Sequence, residues 1–207
     1  HGIWHTPVTG IWQTVWIEPV PAANHIAGIT TRSDIRAGVL SVDVKTARTG
    51  SDRVCVTLSA DGKTLAERSS MAGQPVHLAV EHPRLWSPDD PYLYDLTVTL
   101  VRDGRVIDRA ESYAALREIA TGRDANGIER MTLNGRPLFH FGPLDQGWWP
   151  DGLYTAPTDE ALLYDIRFTK QLGFNMIRKH IKVEPERWYW HCDREGILVW
   201  QDMPSGD

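Results

Sequence analysis

The residues best suited to chemistry gather in the last third of the chain, at three places where an apolar run gives way to polar and aromatic side chains. The first holds Asp145, Gln146, Trp148 and Trp149, after Pro137-Leu138-Phe139-His140-Phe141-Gly142. The second holds Arg178 and His180, after Phe174-Asn175-Met176-Ile177, and the third holds Trp200 and Asp202, after Ile197-Leu198-Val199. A carboxylate and a primary amide hydrogen-bond hydroxyl groups, and an indole presents a flat face on which a sugar ring can stack. A guanidinium keeps a neighbouring carboxylate ionised. Each group also has a plainer reading. The first could be a surface loop with structural aromatics, Arg178 an ordinary ion pair, His180 a satisfied structural histidine, and Asp202 a buried structural carboxylate.

The elements that must position these residues read as alternating strands and helices. Thr158 is placed to cap a helix whose first turn carries Asp159 and Glu160, where the helix dipole favours negative charge. Leu162, Ile166 and Leu172 give it a partial apolar face, and Gly173 stands where a left-handed glycine ends helices. Pro185 is placed as the first residue of a second helix ending at Gly196. With strands at about 137–142, 174–179 and 197–202, the order is βαβαβ. Nearly continuous apolar runs such as Ile197–Trp200 suit parallel pairing. A flavodoxin-like domain is an alternative for this half, but no glycine-rich phosphate loop follows its first strand.

Upstream, residues from about 24 to 117 follow a period of two. Runs such as Val39–Val44, Val54–Leu58, Val76–Val80 and Tyr92–Leu100 are separated by turn signals including Asp61-Gly62 and Asp103-Gly104. This patterning predicts an antiparallel sandwich of immunoglobulin-like size with Trp86, Tyr92 and Tyr94 in its core or corners. Asn134-Gly135 marks a further hairpin, and Gly10–Ile17 reads as one strand. Net charge is −5 over 207 residues with the signs interspersed, so no basic stripe invites nucleic acid. No apolar run approaches the roughly 18 residues of a membrane span. Cys55 and Cys192 fall in different domains and read as two buried thiols. His1 and His5 have no carboxylate partner at metal-ligand spacing, and neither metal nor cofactor is expected. Nine tryptophans are many for this length, and pack in cores or form stacking faces for sugars.

Several stretches resemble glycoside hydrolase family 2, in order and at its spacing. Thr9-Gly10-Ile11-Trp12-Gln13-Thr14-Val15-Trp16-Ile17-Glu18 resembles the strand ending its N-terminal jelly roll. Leu85-Trp86-Ser87-Pro88-Asp89-Asp90-Pro91-Tyr92-Leu93-Tyr94 resembles the signature of its sandwich domain, and Arg117-Glu118-Ile119 that domain's exit. Leu133-Asn134-Gly135-Arg136-Pro137, Gly173-Phe174-Asn175-Met176-Ile177-Arg178 and Cys192–Trp200 resemble the opening of its barrel.

The resemblance implies an all-β immunoglobulin-like sandwich followed by the first third, βαβαβ, of a TIM (β/α)8 barrel. Residues 1–22 would be the last strand of a truncated jelly roll, 23–120 the sandwich and 121–207 the truncated barrel start, since a whole barrel needs about 250 residues. It implies retaining hydrolysis of terminal β-glycosidic bonds by two glutamates about 5–5.5 Å apart. In the family these come from barrel strands four and seven, the first marked by Asn-Glu, a dipeptide absent here. The chain alone is therefore expected to be inactive. Asp145, Gln146, Trp148, Arg178, His180, Trp200 and Asp202 would bind or support a β-linked carbohydrate, with Arg178 positioning the nucleophile. His180 departs from the family's pattern by one residue, and Trp200-Gln201-Asp202 resembles the mannosidase-like branch, so sugar specificity stays open. Open strand edges and an inner apolar face including Val199 are expected to leave the barrel piece poorly ordered or self-associating. The alternative function is a non-catalytic immunoglobulin-like module that binds carbohydrate or protein.

Overall fold

The computed structural model describes residues 8–204. His1 and His5 lie outside the described residues. Secondary structure is mostly β, with two helices among the described residues, and the chain divides into two compact units.

The first unit is Glu18–Leu138. It opens with β1 (Ile26–Asp34), β2 (Val39–Thr46), β3 (Arg53–Ala60), β4 (Lys63–Met71), β5 (Val76–Ala79), β6 (Tyr94–Arg102) and β7 (Arg105–Ala114). These form two antiparallel sheets, ordered β1-β2-β5 and β4-β3-β6-β7. Alternate residues of the central strands point inward. Leu40 and Val42 of β2, Val56 and Leu58 of β3, and Val98 and Leu100 of β6 are wholly buried in one apolar cluster. This is the immunoglobulin-like sandwich that the alternation predicted. Its hairpins turn where expected: Asp61-Gly62 has φ 50° and 74°, and Asp103-Gly104 has 49° and 74°. Both central residues of each turn are left-handed, the geometry that matches the twist of paired strands. Trp86 is fully buried, and the Tyr94 hydroxyl accepts from Arg84 N at 2.7 Å and donates to Arg84 O at 3.1 Å.

A small sheet, β10-β9-β8, completes this unit from β8 (Ile119–Arg123), β9 (Glu129–Leu133) and β10 (Arg136–Pro137). Asn134-Gly135 turns β9 into β10 with φ 52° and 75°. Its Asn134 side chain accepts from Glu118 N at 2.9 Å and donates to Trp86 O at 3.0 Å, so compactness groups residues 121–138 with the sandwich.

The second unit joins residues up to Ile17 to those from Phe139 on. It contains β11 (Leu144–Asp145), α1 (Asp159–Gln171), β12 (Met176–Lys179), α2 (Glu186–Glu195) and β13 (Leu198–Gln201), and its sheet β11-β12-β13 is parallel throughout. Thr158 caps α1 as predicted, its hydroxyl accepting from Ala161 N at 3.1 Å. Pro185 is the cap of α2 rather than its first residue, and Gly196 closes that helix at φ 76°.

Four further sequence expectations need correction. The first parallel strand is Leu144–Asp145, not 137–142. Pro143 has no N–H for a ladder, and the segment before it is held instead by Asn175, whose side chain accepts from Phe141 N at 2.9 Å and donates to Phe139 O at 2.8 Å. Gly142 is required there, because a Cβ would stand 1.7 Å from Met176 O. Leu172 is exposed, since it caps α1 instead of continuing its apolar face. Val199 pairs in register with Ile177 and so shares its helix-facing side, packing on the cluster of Leu162, Ile166, Ile177, Trp188, Cys192 and Ile197. Gly10–Ile17, expected as a strand, belongs to no strand among the described residues. Its ties are lateral, from Gln13 Nε2 to Val183 O at 3.2 Å and from Thr155 Oγ1 to Trp12 O at 3.0 Å. Both cysteines are free, and Cys55 is half-buried while Cys192 is buried.

Candidate functional site

Register decides which of the expected residues share a face. Leu144, Arg178 and Trp200 are paired across the three strands, as are Asp145, Lys179 and Gln201. Side chains alternate along a strand, so these two rows face opposite ways. The second row looks toward the helices: the Lys179 ammonium lies 4.4 Å from the ring centre of Trp188 in α2. The first row therefore looks out from the helix-free side.

On that helix-free side, Arg178 makes a two-pronged contact with Asp202, Nη2 to Oδ2 at 2.9 Å and Nε to Oδ1 and Oδ2 at 3.2 and 3.1 Å. The planar fork holds the carboxylate in one orientation while leaving the guanidinium about half exposed. Beside it, Trp200 Nε1 donates to His140 Nδ1 at 2.8 Å. Burial pushes the His140 pKa down, which favours the neutral ring whose Nδ1 lone pair this bond needs. Trp200 stays partly exposed, as do Leu144 and Met203. The surface thus combines an indole, a forked cation–carboxylate pair and apolar flanks.

The loop after β11 carries the other candidates. Gln146 Nε2 lies 3.2 Å from His180 Nδ1, and these two side chains with Trp148, Tyr154, Ile181 and Lys182 line a cavity of about 80 Å³. That is far below the roughly 300 Å³ of ligand pockets, so this corner cannot hold a ligand by itself. Asp145 is committed elsewhere: it accepts from Lys179 Nζ and from Gly147 N. Ile181, between His180 and Lys182, has φ 44°, a region costly for a β-branched residue. This strained turn separates His180 from Lys182, and both contribute to the same corner.

The structure thus brings Arg178, Trp200 and Asp202 together, and Gln146, Trp148 and His180 together, with Asp145 in the helix-side charge cluster. Four participants escaped the sequence reading: His140, Lys179, Lys182 and Glu184. The lysines are almost wholly buried and share Glu184, each with Nζ 3.0 Å from its Oε1. Burial pushes the Lys182 pKa down, with Glu184 acting against it. A lysine in sequence reads as surface, and its partners lie up to 35 residues away, so no local signal marked them. Among the described residues no group of histidines, cysteines and carboxylates is placed to hold a metal.

Comparison with known proteins identifies relatives of the chain. Residues 24–117 match the family described as Glycosyl hydrolases family 2. A beta-galactosidase of Lactococcus lactis subsp. lactis is 26% identical over 197 residues, covering 93% of this chain and 19% of the relative. A putative beta-glucuronidase of Formosa agariphila is 31% identical over 179 residues, covering 82% of this chain and 16% of the relative. The chain therefore spans less than a fifth of the length of these two relatives. Among solved structures, Bifidobacterium dentium beta-glucuronidase complexed with coumarin-3-O-glucuronide superposes with TM-score 0.78 at 22% identity, covering 88% of this chain and 31% of that one, a likeness of fold. From the matched sandwich domain and these relatives aligned along most of its length, the chain belongs to glycosyl hydrolases family 2.

Proposed function

We propose that this chain is the central piece of a retaining glycosidase that cleaves terminal β-glycosidic bonds, and that it carries substrate-facing residues but neither catalytic glutamate. In this reading residues 1–22 end a jelly roll, 23–120 are the sandwich, and 121–207 open a (β/α)8 barrel whose later strands would cover the helix-free face of β11, β12 and β13. Self-association of the chain alone would be the consequence of leaving that face and its strand edges open.

The observation that carries the reading is the row of Arg178, Asp202 and Trp200 at the C-terminal ends of parallel strands, where barrel enzymes assemble their sites. Arg178, aligned by Asp202, would offer its exposed edge to a nucleophilic carboxylate and keep it ionised. Trp200 would stack on the sugar, with Gln146, Trp148 and His180 bordering the same opening. Asp202 is engaged by Arg178, which supports a positioning role for it rather than one as proton donor.

The test is hydrolysis of chromogenic β-glycosides. The 207-residue chain should give no turnover above a buffer blank, because it supplies neither nucleophile nor acid. A longer protein that contains it and continues through a whole barrel should turn over. Activity of the chain alone that survives repurification would overturn the reading.

A further inference from the structure

We propose that Lys182 is a positioning residue for the loop that presents Gln146 and Trp148, acting from beneath the proposed substrate surface without touching substrate. This rests on the glycosidase reading above for its functional meaning, but its structural content stands on contacts within the second unit.

The Lys182 ammonium is buried and spends its three donors on distinct partners. It donates to Gly147 O at 2.7 Å and to Tyr154 O at 2.9 Å, and it lies 3.0 Å from Glu184 Oε1. The two carbonyls bracket the loop, Gly147 at its start and Tyr154 near its end, so one cation closes seven intervening peptide bonds into a compact arch. Charge-assisted bonds are stronger than neutral ones, and the buried Lys182 ammonium has no water to fall back on if they are lost. The ammonium also sits 4.5 Å from the Tyr154 ring centre and 5.4 Å from that of Trp12. Tyr154 is in turn edge-on to Trp148, with ring centres 5.9 Å apart, and to Trp12 at 4.5 Å. Displacing the cation would therefore release Trp148 as well as the backbone.

A second observation from the loop side agrees. Gly147 has φ 62°, and a Cβ there would lie 2.3 Å from Glu184 Oε1 and 2.8 Å from both Cδ and Nζ of Lys182. The loop can approach the lysine closely only because this position has no side chain. Ile181 adds its strained turn, directing Lys182 inward while His180 meets Gln146. The neighbouring charges are Lys179, Asp145 and Glu184. Lys179 makes the direct ion pair with Asp145, whose charge also acts on Lys182 from farther off, and the shared Glu184 and the two carbonyls make the direct contacts to Lys182.

Lys182→Met keeps the apolar stem and removes the three bonds. In the 207-residue chain, amide hydrogen exchange of residues 147–154 should accelerate by about tenfold or more, while α1, α2 and β12 keep their protection. In a longer, active protein the same substitution should raise KM for a β-glycoside and leave kcat nearly unchanged, which a general loss of folded protein would not do. Gln146→Ala and Trp148→Ala separate the two claims. If these leave KM unaltered, the loop is not a substrate surface and the glycosidase reading of it fails, whereas the exchange result still judges Lys182. Should Lys182→Met fail to fold, Gly147→Ala decides, since it breaks the same contact from the loop. Unchanged exchange of the loop in a folded variant would overturn the proposal. So would collapse of both variants with lost protection in α1 and α2, because Lys182 would then support the core and not the loop.

Discussion

The two units bury different things. The sandwich is apolar at its centre, and its buried charge, Asp52, sits at the start of β3, bound by Arg102 Nε and Nη2 at 2.7 and 2.8 Å and by Asn24 at 2.7 Å. The second unit has a smaller apolar cluster against its helices and places Lys179, Lys182, Glu184 and His191 among its buried groups. Buried ions cost several kcal/mol each to desolvate and repay that only with good geometry. A core of valine and leucine gives stability without this cost. The contrast separates a scaffold from a positioning device: charge enters the interior where a loop must be held in one place.

Removing the shared carboxylate should break this contrast most sharply. Glu184→Gln leaves buried Lys182 without a carboxylate partner and Lys179 with Asp145 alone, and is expected to destabilise the second unit by about 3–5 kcal/mol. Hydrogen exchange should show α1 and α2 deprotected while β2, β3 and β6 are unaffected; equal loss in both units would mean that they do not differ in the way described.

Acid should act on the sandwich through Asp52. Its hydrogen bonds from Arg102, then from Asn24, hold its pKa at about 2 against an ordinary 3.8. A carboxyl whose folded pKa is depressed contributes stability above its unfolded pKa and loses it as pH falls toward the folded one. The stability gap between the unchanged chain and Asp52→Asn, followed by urea melts of the sandwich, should thus be widest near neutral pH. It should close between about pH 4 and pH 2. A gap constant across that window would assign the effect to shape rather than charge.

The smallest expected change is at Thr158. Loss of its cap to Ala161 N in Thr158→Ala should cost about 1 kcal/mol, read as a lower midpoint for the helical signal in thermal melts with the sandwich transition unmoved.

What could be read in the sequence was local. Asp61-Gly62, Asp103-Gly104 and Asn134-Gly135 announce left-handed turns because few other pairs tolerate them, and Thr158 and Gly196 mark helix ends for equally local reasons. Strand β4 was missed because its residues are largely exposed and its apolar alternation weak, as suits an edge. The face of Val199 was misassigned because a run apolar on both sides carries no parity, and only pairing with Ile177 supplies it. Arg178, Trp200 and Asp202, expected at the ends of separate strands, lie side by side because parallel pairing brings those ends together. The Trp200–His140 bond and the Lys182 clamp were illegible, because each joins residues far apart through a geometry that no spacing encodes.

The central claim is that the helix-free face around Arg178 is turned toward substrate. Its most direct test is the steady-state kinetics of Arg178→Ala in a longer protein that contains this chain and hydrolyses β-glycosides. Loss of an oriented cation beside a reacting carboxylate should lower kcat/KM by about a hundredfold or more, mainly through kcat, with the thermal midpoint little changed because the side chain is half exposed. A folded Arg178→Ala protein with unaltered kcat/KM would contradict the account.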